Sequence, residues 1–485
     1  MGDDFPPRGH GVDGGYDLPA SERWKHPQNL GPEWNWQSGK IKLGQWRGRE
    51  FGPPGEDNRH IVTVAGSRSG KTRHSIIPNL RLYPGSAIIL DPKGELVAET
   101  LLERQHLLRQ NVYVLDPFRI TNHTSSSHNP FDELGKRGQL DIAADAAQIA
   151  DAMIIAAQRD NHWTDAARNY IRGLILYMMI AQPDKLNMKE LRRLLHQEGD
   201  ELDHLLYSMA NTHPDAFNSI IHNVGTSYKG KFERAPTELQ SIFSTAQEQT
   251  SSFDDVLNVM DHSDFDLADL RMRPTTVYLV LPALRMGTHF RWLRLFIQQA
   301  FAALEKEKFE QGQLPVWFVL EEFATLGFMR SIETATGFMA GMGIKLWTVL
   351  QDLSQLKTNY PRSWQTFLGN AGIIQAFGNS DLTTTEHLSK RLGNTRVYET
   401  QDVFVSQAQQ EQGDTGRREH IRTSPLLEPS EITRHFAREN HRQMIIHPGS
   451  DPVYMGYLPG EGQEGERARA DAINRRWEAT YGRRL

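Results

Sequence analysis

A turn of small residues at 65–72 carries the residue types that bind a phosphate group. Its sequence, A-G-S-R-S-G-K-T, follows the β-branched run at 61–64. Phosphates are held by successive backbone N–H groups, which converge only where side chains are small or the backbone tolerates positive φ. The spacing predicts a phosphate-binding loop between a strand and a helix, formed by Ala65, Gly66, Ser67, Arg68, Ser69, Gly70, Lys71 and Thr72.

Two side chains of this loop suit a nucleotide with its metal. Lys71 would reach the β- and γ-phosphates as a positive charge, and the Thr72 hydroxyl would bind Mg²⁺. The helix predicted over 72–82 would direct its N-terminal dipole at the anion. Ala65 stands where the usual pattern has glycine, and an ordinary strand–turn–helix joint is the structural alternative.

Two acidic residues follow the apolar run at 316–320, where the second acidic motif of a phosphate-loop NTPase belongs. Glu321 would hold Mg²⁺ through water, and Glu322 would polarise the attacking water. Glutamate replaces the usual aspartate at 321, and its extra methylene extends the carboxylate by about 1.5 Å. The alternative is a solvated helix start.

Polar residues also end two other apolar runs. Gln351 follows the run at 344–350 and would lie beside the γ-phosphate in a RecA-like strand order, although polar residues commonly end strands. The segment at 91–95, D-P-K-G-E, is equally open to two interpretations, because Asp91 and Glu95 could simply cap the next helix.

The periodicity predicts an α/β fold with a mainly parallel sheet. Continuous apolar runs predict strands at 60–65, 86–90, 111–115, 276–281, 316–320, 344–350 and 372–377. Strand signals disappear from 135 to 261, where helical patterns predict an inserted all-α domain. A closing hairpin is expected at 443–446 and 453–457, and 400–440 is expected to be rich in loops. The predicted organisation is an arm at 1–58, a nucleotide-binding domain at 59–134 and 262–460, the insertion at 135–261, and a charged tail at 461–485.

Composition narrows the function classes. The 485 residues include no cysteine, which excludes a disulfide framework and a thiolate metal site. The formal net charge of −6 provides no overall positive field for nucleic acid, so DNA binding would have to be local or arise on assembly. The N-terminus lacks the regions of a signal peptide, and the most apolar stretch, 173–181, is about half of the ~20 residues that cross a bilayer. We therefore expect a soluble protein.

The motifs together resemble the coupling-protein ATPases of conjugative type IV secretion. The resemblance covers roughly 55–460 and is carried by A-G-S-R-S-G-K-T at 65, I-L-D-P-K-G-E-L at 89, V-L-D-P-F at 114, N-P-F at 129, L-E-E-F-A-T-L-G at 320, Q-D-L-S-Q-L at 351 and L-S-K-R-L-G-N-T at 388. The D-P-K-G-E and E-F-x-x-L-G elements are much more specific than the phosphate loop.

This resemblance implies a RecA-like P-loop NTPase domain with an inserted all-α domain, using ATP and Mg²⁺. It implies a ring-shaped homo-oligomer, a hexamer, that delivers relaxase-bound single-stranded DNA or effector proteins to the other type IV secretion components. Family members usually carry an N-terminal membrane anchor, which this sequence lacks, so we expect a cytoplasmic protein held peripherally at the inner membrane by the machinery. In ring motors an arginine from the neighbouring subunit often completes the site. Arg391, with Arg396 close behind, is our candidate, and an exposed arginine at a helix end is the alternative.

Two other functions remain open from the sequence. Glu321 and the missing anchor favour a nucleotide-switched substrate receptor with little turnover. A small-molecule kinase with a helical lid is a third hypothesis, but it has no need of the D-P-K-G-E and Q-D-L-S-Q-L elements.

Overall fold

The computed structural model describes residues 24–55, 57–136, 141–155, 162–402, 417–458, 471–473 and 475. The first part of the predicted arm, 1–23, and the predicted tail at 461–485, apart from 471–473 and 475, lie outside the described residues. Within them the strands are β1 Gly44–Trp46, β2 Arg49–Phe51, β3 Ile61–Ala65, β4 Ala87–Asp91, β5 Asn111–Leu115, β6 Thr275–Val280, β7 Val316–Leu320, β8 Ile344–Leu350, β9 Ile373–Phe377, β10 Asn394–Asp402, β11 Arg417–Pro425, β12 Arg442–Ile446 and β13 Val453–Gly456.

Helices occupy most of the remaining described chain. They are α1 Ile77–Leu82, α2 Glu95–Leu102, α3 Ile142–Met153, α4 His162–Ala181, α5 Met188–Leu195, α6 Gly199–Ala210, α7 Ile220–Arg234, α8 Pro236–Thr250, α9 Asp269–Met272, α10 Met286–Lys306, α11 Arg330–Phe338, α12 Leu353–Asn359, α13 Trp364–Asn370, α14 Leu382–Leu392 and α15 Pro429–His435. The described residues divide into two compact units, one within Met1–Tyr83 and Leu346–Asp471 and the other within Pro84–Lys345 and Ala472–Leu485.

The first unit contains strands in the order β2-β1-β13-β12-β9-β3-β8. Strand β3 is buried along its whole length and runs parallel to both neighbours, β8 and β9. Its continuous apolar sequence is typical of a strand that is covered on both faces. Strands β12, β13, β1 and β2 continue the sheet in antiparallel pairs. The carboxyl end of β3, where residue 65 gives way to the predicted phosphate loop, therefore lies between two parallel strands.

The N-terminal segment is part of this sheet. Trp34 is 2% exposed, and β1 pairs with β13 through Gln45 and Gly456. The sequence pattern showed no strand here, because each of these strands is only three residues long. The described part of the expected arm, 24–55, therefore contributes the edge of the sheet in the first unit.

Residues 394–402 and 417–435 differ from another expectation. We expected 400–440 to be rich in loops, but β10 and β11 pair antiparallel in register from Asn394 with Pro425 to Asp402 with Arg417, and α15 follows. The prediction was wrong for these stretches because the strands are polar and lack the apolar run or alternation by which a strand is recognised in a sequence, while 403–416 lie outside the described residues.

The second unit contains parallel strands in the order β7-β4-β6-β5. No strand occurs between β5 and β6 in the described residues, and α3 to α8 occupy the predicted insertion at 135–261. The chain enters and leaves this helical segment side by side. Ser127 N–H donates to Asp264 Oδ2 (2.8 Å), and His128 N–H donates to the Val259 carbonyl (2.9 Å). The segments that lead into and out of the helical insertion are therefore joined to each other by hydrogen bonds.

Candidate nucleotide site and family

The predicted phosphate loop turns sharply away from β3. A Cβ placed on Gly66 would lie 2.1 Å from the carbonyl oxygen of Gly378, which follows β9. Gly70 has a φ of +87°, a conformation that residues with a side chain rarely adopt. The loop therefore requires both glycines, one for close approach to the turn that follows β9 and the other for backbone conformation.

Lys71 and Thr72 lie where this turn becomes a helix. Lys71 is 8% exposed and precedes a π-helical turn, Thr72–Ile76, which continues into α1. Ile77 N–H donates to the Thr72 carbonyl, five residues back. The next residue, Pro78, has no N–H to donate and its ring crowds the preceding turn, which accounts for the widened turn at this point.

Aromatic side chains support the helix start from the C-terminal hairpin. His74 lies against the Tyr457 ring at 5.3 Å between centroids, and its Nδ1 is 3.1 Å from the Leu458 carbonyl. Burial lowers the pKa of His74. Tyr457 also contacts Phe377 at the end of β9 (4.9 Å). His74 and Tyr457 were not predicted from the sequence, because the two residues are far apart in the chain and neither belongs to a motif.

The pairing of β3 with β8 places Gln351 beside the predicted phosphate loop. Val64 pairs with Leu350 in the parallel β3–β8 ladder, so Gln351 is the first residue beyond the strand that neighbours β3. Its N–H donates to Gln355 Oε1 (3.1 Å), while Asp352 caps α12 by accepting from Gln355 N–H (3.0 Å). The Q-D-L-S-Q sequence thus forms a local hydrogen-bonded turn that fixes the backbone of Gln351.

Arg391 lies in the same unit, near the end of α14. Its guanidinium donates to the Leu368 carbonyl (3.3 Å), and burial lowers the pKa of this arginine. It is therefore half-buried against α13 of its own chain, not fully exposed at a helix end. Arg396 lies on β10.

The acidic pair belongs to the second unit, at the end of β7. Glu321 is 4% exposed, so it is not part of a solvated helix start. Glu322 has a left-handed backbone (φ 57°) and precedes a 3₁₀ turn, Phe323–Leu326. A non-glycine residue held in this region costs roughly 1–2 kcal/mol, and such strain is concentrated at functional sites.

Asp91 ends the neighbouring strand β4 and acts as a cap. Its Oδ2 accepts from Val97 N–H (2.9 Å), its Oδ1 accepts from Lys93 N–H (3.2 Å), and the residue is buried. Desolvation raises the pKa of Asp91. The structure therefore favours the capping interpretation of the D-P-K-G-E element, in which Asp91 fixes the turn that leads into α2.

Comparison with known proteins identifies the family. A family profile described as "Type IV secretory system Conjugative DNA transfer" matches residues 22–458. The chain belongs to this family. It is 26% identical to the conjugal transfer protein TraG of Escherichia coli over 86% of this chain and 69% of that protein. It is 24% identical to the type IV secretion system-coupling protein VirD4 of Bartonella quintana over 82% of this chain and 62% of the relative.

Solved structures give the same fold. The bacterial conjugative coupling protein TrwBdeltaN70, in a trigonal form with sulphate, aligns with a TM-score of 0.63 at 14% identity, covering 88% of this chain and 91% of that one. TrwB in complex with ADP and Mg²⁺ aligns with a TM-score of 0.59 at 14% identity, covering 84% and 86%. The predicted RecA-like α/β fold is thus confirmed. Among the described helices, none combines the length and apolar character needed to span a membrane.

Proposed function

We propose that this chain is the ATP-binding and ATP-hydrolysing coupling protein of a type IV secretion system. The observation that carries the proposal is the glycine turn after β3, where Gly66 packs against the Gly378 carbonyl and Lys71 and Thr72 begin the helix. Membership of the conjugative DNA transfer family supports it. The matched structures include TrwB with the ATP analogue ADPNP and with ADP and Mg²⁺, which supports the same ligands here.

The residues of the loop suit a magnesium nucleotide. Backbone N–H groups of 66–72 would hold the phosphates, Lys71 would neutralise their charge, and Thr72 together with Glu321 would hold Mg²⁺. Mg²⁺ supplies charge neutralisation at the β- and γ-oxygens when it is bound. The buried Ser69 Oγ, which has no hydrogen-bond partner, and the nearby loop after β9 close the other side of the turn.

Three side chains are proposed to act in hydrolysis. Glu322 would accept a proton from the attacking water, Gln351 would report the state of the γ-phosphate, and Lys71 would stabilise the charge that develops on the transferring group. Gln351 is supported by its position beside β3. The roles of Glu321 and Glu322 are inferred from their place after a buried strand and from the left-handed backbone of Glu322.

The biological substrate is proposed from the family. We infer that hydrolysis drives relaxase-bound single-stranded DNA or effector proteins toward the secretion channel, and that the chain works as a hexameric ring at the cytoplasmic face of the inner membrane, held there by other secretion components. The matched region spans 62% of the length of the VirD4 relative.

An ATPase assay on protein of measured mass, with and without single-stranded DNA, tests the proposal. We expect steady turnover that increases on oligomerisation. Tight nucleotide binding with less than one turnover per site over the assay would instead establish a nucleotide-switched receptor, which the glutamate at 321 favours. Failure to bind any nucleotide would overturn both hypotheses, the ATP-hydrolysing coupling protein and the nucleotide-switched receptor.

Arg391 is the proposed arginine supplied in trans. To reach a neighbouring site it would have to exchange its Leu368 contact for one across the subunit boundary. Mixed rings of Lys71→Ala and Arg391→Ala subunits should rebuild some intact sites and recover activity. If mixed rings form and no activity returns, Arg391 does not act in trans.

A further inference from the structure

Residues 41–44 of the N-terminal segment lie against the helix that follows the phosphate loop. Asn79 Oδ1 accepts from Lys42 N–H (2.7 Å), and Asn79 Nδ2 donates to the Lys42 carbonyl (2.9 Å). One side chain thus satisfies both backbone groups of Lys42, as a neighbouring strand would. Asn79 Nδ2 also donates to the Ser75 carbonyl (2.8 Å), one turn closer to the phosphate loop.

A second connection begins at Gln375 in the middle of β9. Its Oε1 accepts from Thr63 Oγ1 of β3 (2.9 Å) and from Ser75 Oγ (2.9 Å). Thr63 Oγ1 in turn accepts from Trp347 Nε1 of β8 (2.9 Å). Gln375 therefore joins the strand before the phosphate loop to the helix after it.

The chain of hydrogen bonds then reaches the N-terminal segment. Gln375 Nε2 donates to Gln443 Oε1 on β12. Gln443 Nε2 donates to the Leu43 carbonyl (2.8 Å) and to the Gly456 carbonyl (3.0 Å). The same short segment, 42–43, is thus bonded to the phosphate-loop helix by two separate routes.

Burial makes these connections rigid. Asn79, Gln375 and Gln443 are each 1% exposed, and Ser75 is 2% exposed. In a low-dielectric interior the hydrogen bonds of a buried amide are strong, and leaving that amide without a partner costs free energy. We therefore expect these bonded residues to move as one unit. The helix itself is a weak support, because α1 has only six residues and follows a π-turn.

We propose that residues 41–44 position the helix that presents Lys71 and Thr72, with Asn79 and Gln375 as positioning residues. Loosening this segment would let the start of the helix shift, and the affinity for nucleotide would fall although no residue touching the nucleotide had changed. The affinity part of this inference rests on the proposed function, whereas the mechanical part concerns the protein without nucleotide.

Two variants disrupt the contact between residues 41–44 and the helix, each by a change on one of the two partners. Asn79→Ala removes the amide side chain that the helix contributes. Gly44→Ala acts from the segment side, because its Cβ would lie 2.7 Å from the Gly456 carbonyl oxygen and 2.8 Å from Gln443 Nε2. Gly369→Ala is the matched control, since it lies in α13 of the same unit and a Cβ there would meet nothing within 4 Å.

Hydrogen exchange and binding of a fluorescent ATP analogue provide the measurements, both made on the full chain well below its melting temperature. Asn79→Ala and Gly44→Ala should each speed exchange in 72–82 of the nucleotide-free protein, leave α14 unchanged, and weaken analogue binding by about tenfold. Gly369→Ala should match the native chain in both measurements.

Native exchange rates over 72–82 in both variants would overturn the inference, whatever the nucleotide result. Native affinity despite faster exchange would overturn its affinity part. If Asn79→Ala does not fold, Gly44→Ala alone decides the outcome. If the native chain binds no nucleotide, the proposed function fails, and the exchange rates still decide whether 41–44 positions the helix.

Discussion

Two loops at the ends of parallel strands differ in the proposed roles of the residues that hold their left-handed backbone positions. After β3, the closest approach and the most positive φ of the phosphate loop fall on Gly66 and Gly70, which have no side chain to strain. After β7, the left-handed position is occupied by Glu322, a residue proposed to act in the chemistry. The first loop also holds Arg68 in the left-handed region (φ 57°), but the Arg68 side chain has no proposed role, whereas in the second loop the strained residue is itself proposed to act in the chemistry. The two loops should respond differently to substitution.

Lys71→Ala should have the largest effect, abolishing ATP turnover to within background, because the charge opposite the β- and γ-phosphates is lost. Steady-state ATPase rates of the purified variant check this. Arg73→Ala, an exposed cation two residues along the same turn, is the control and should retain native turnover. Native turnover in Lys71→Ala would remove 65–72 from the site.

Glu322→Gln should leave nucleotide bound and reduce the single-turnover rate by at least about 100-fold, because the amide keeps the shape but cannot accept the proton. Glu321→Gln should instead weaken Mg²⁺-dependent binding. The pair is measured by rapid-quench hydrolysis and by nucleotide titration at several Mg²⁺ concentrations. The opposite pattern would mean that the two glutamates exchange roles.

Gly66→Ala tests the steric demand of the first loop. The new methyl group would collide with the backbone carbonyl of Gly378, so the turns that follow β3 and β9 must shift apart. We expect a loss of about 1–3 kcal/mol in the free energy of unfolding together with weakened nucleotide binding. Chemical denaturation beside the Gly369→Ala control provides the measurement. An unchanged unfolding free energy would show that the loop relaxes freely.

Glu322→Asn tests the strain in the second loop, and its expected effect on stability is the smallest. Asparagine tolerates the left-handed region better than glutamate, so the unfolding free energy should stay level or rise by up to about 1 kcal/mol, while hydrolysis is lost. Denaturant midpoints compared with those of Glu322→Gln isolate the backbone effect. Destabilisation relative to Glu322→Gln would contradict the comparison.

The sequence predicted those parts of the fold that depend on local pattern. The continuous apolar runs at 61–65 and 373–377 are strands because they are buried on both faces, and the glycine spacing at 66–70 marks the turn. The short strand Gly44–Trp46 and the polar strand Asn394–Asp402 carry no such pattern, since their stability comes from partners elsewhere in the chain.

The supporting contacts of the candidate site were beyond sequence analysis for the same reason. Gly378 approaches Gly66, and Gln375 accepts from Ser75, across about 300 residues of intervening chain. Nothing in the local sequence of Asn79 marks it as a partner of Lys42. Motifs thus identify residues proposed to touch the nucleotide, whereas the residues that hold them in place are found only from three-dimensional contacts.

The sheet order also determines when each strand can pair with its neighbours during synthesis. Strand β3 is made early, but the residues that pair with it, Trp347 to Leu350 and Ile373 to Phe377, follow roughly 300 residues later. At usual rates of translation this delay is about 15–60 s, during which an apolar strand waits with both edges unpaired. The second unit, whose strands all lie within 84–345, can complete its own sheet in that interval. The strand that leads into the phosphate loop therefore depends on protection from aggregation until β8 and β9 have been synthesised.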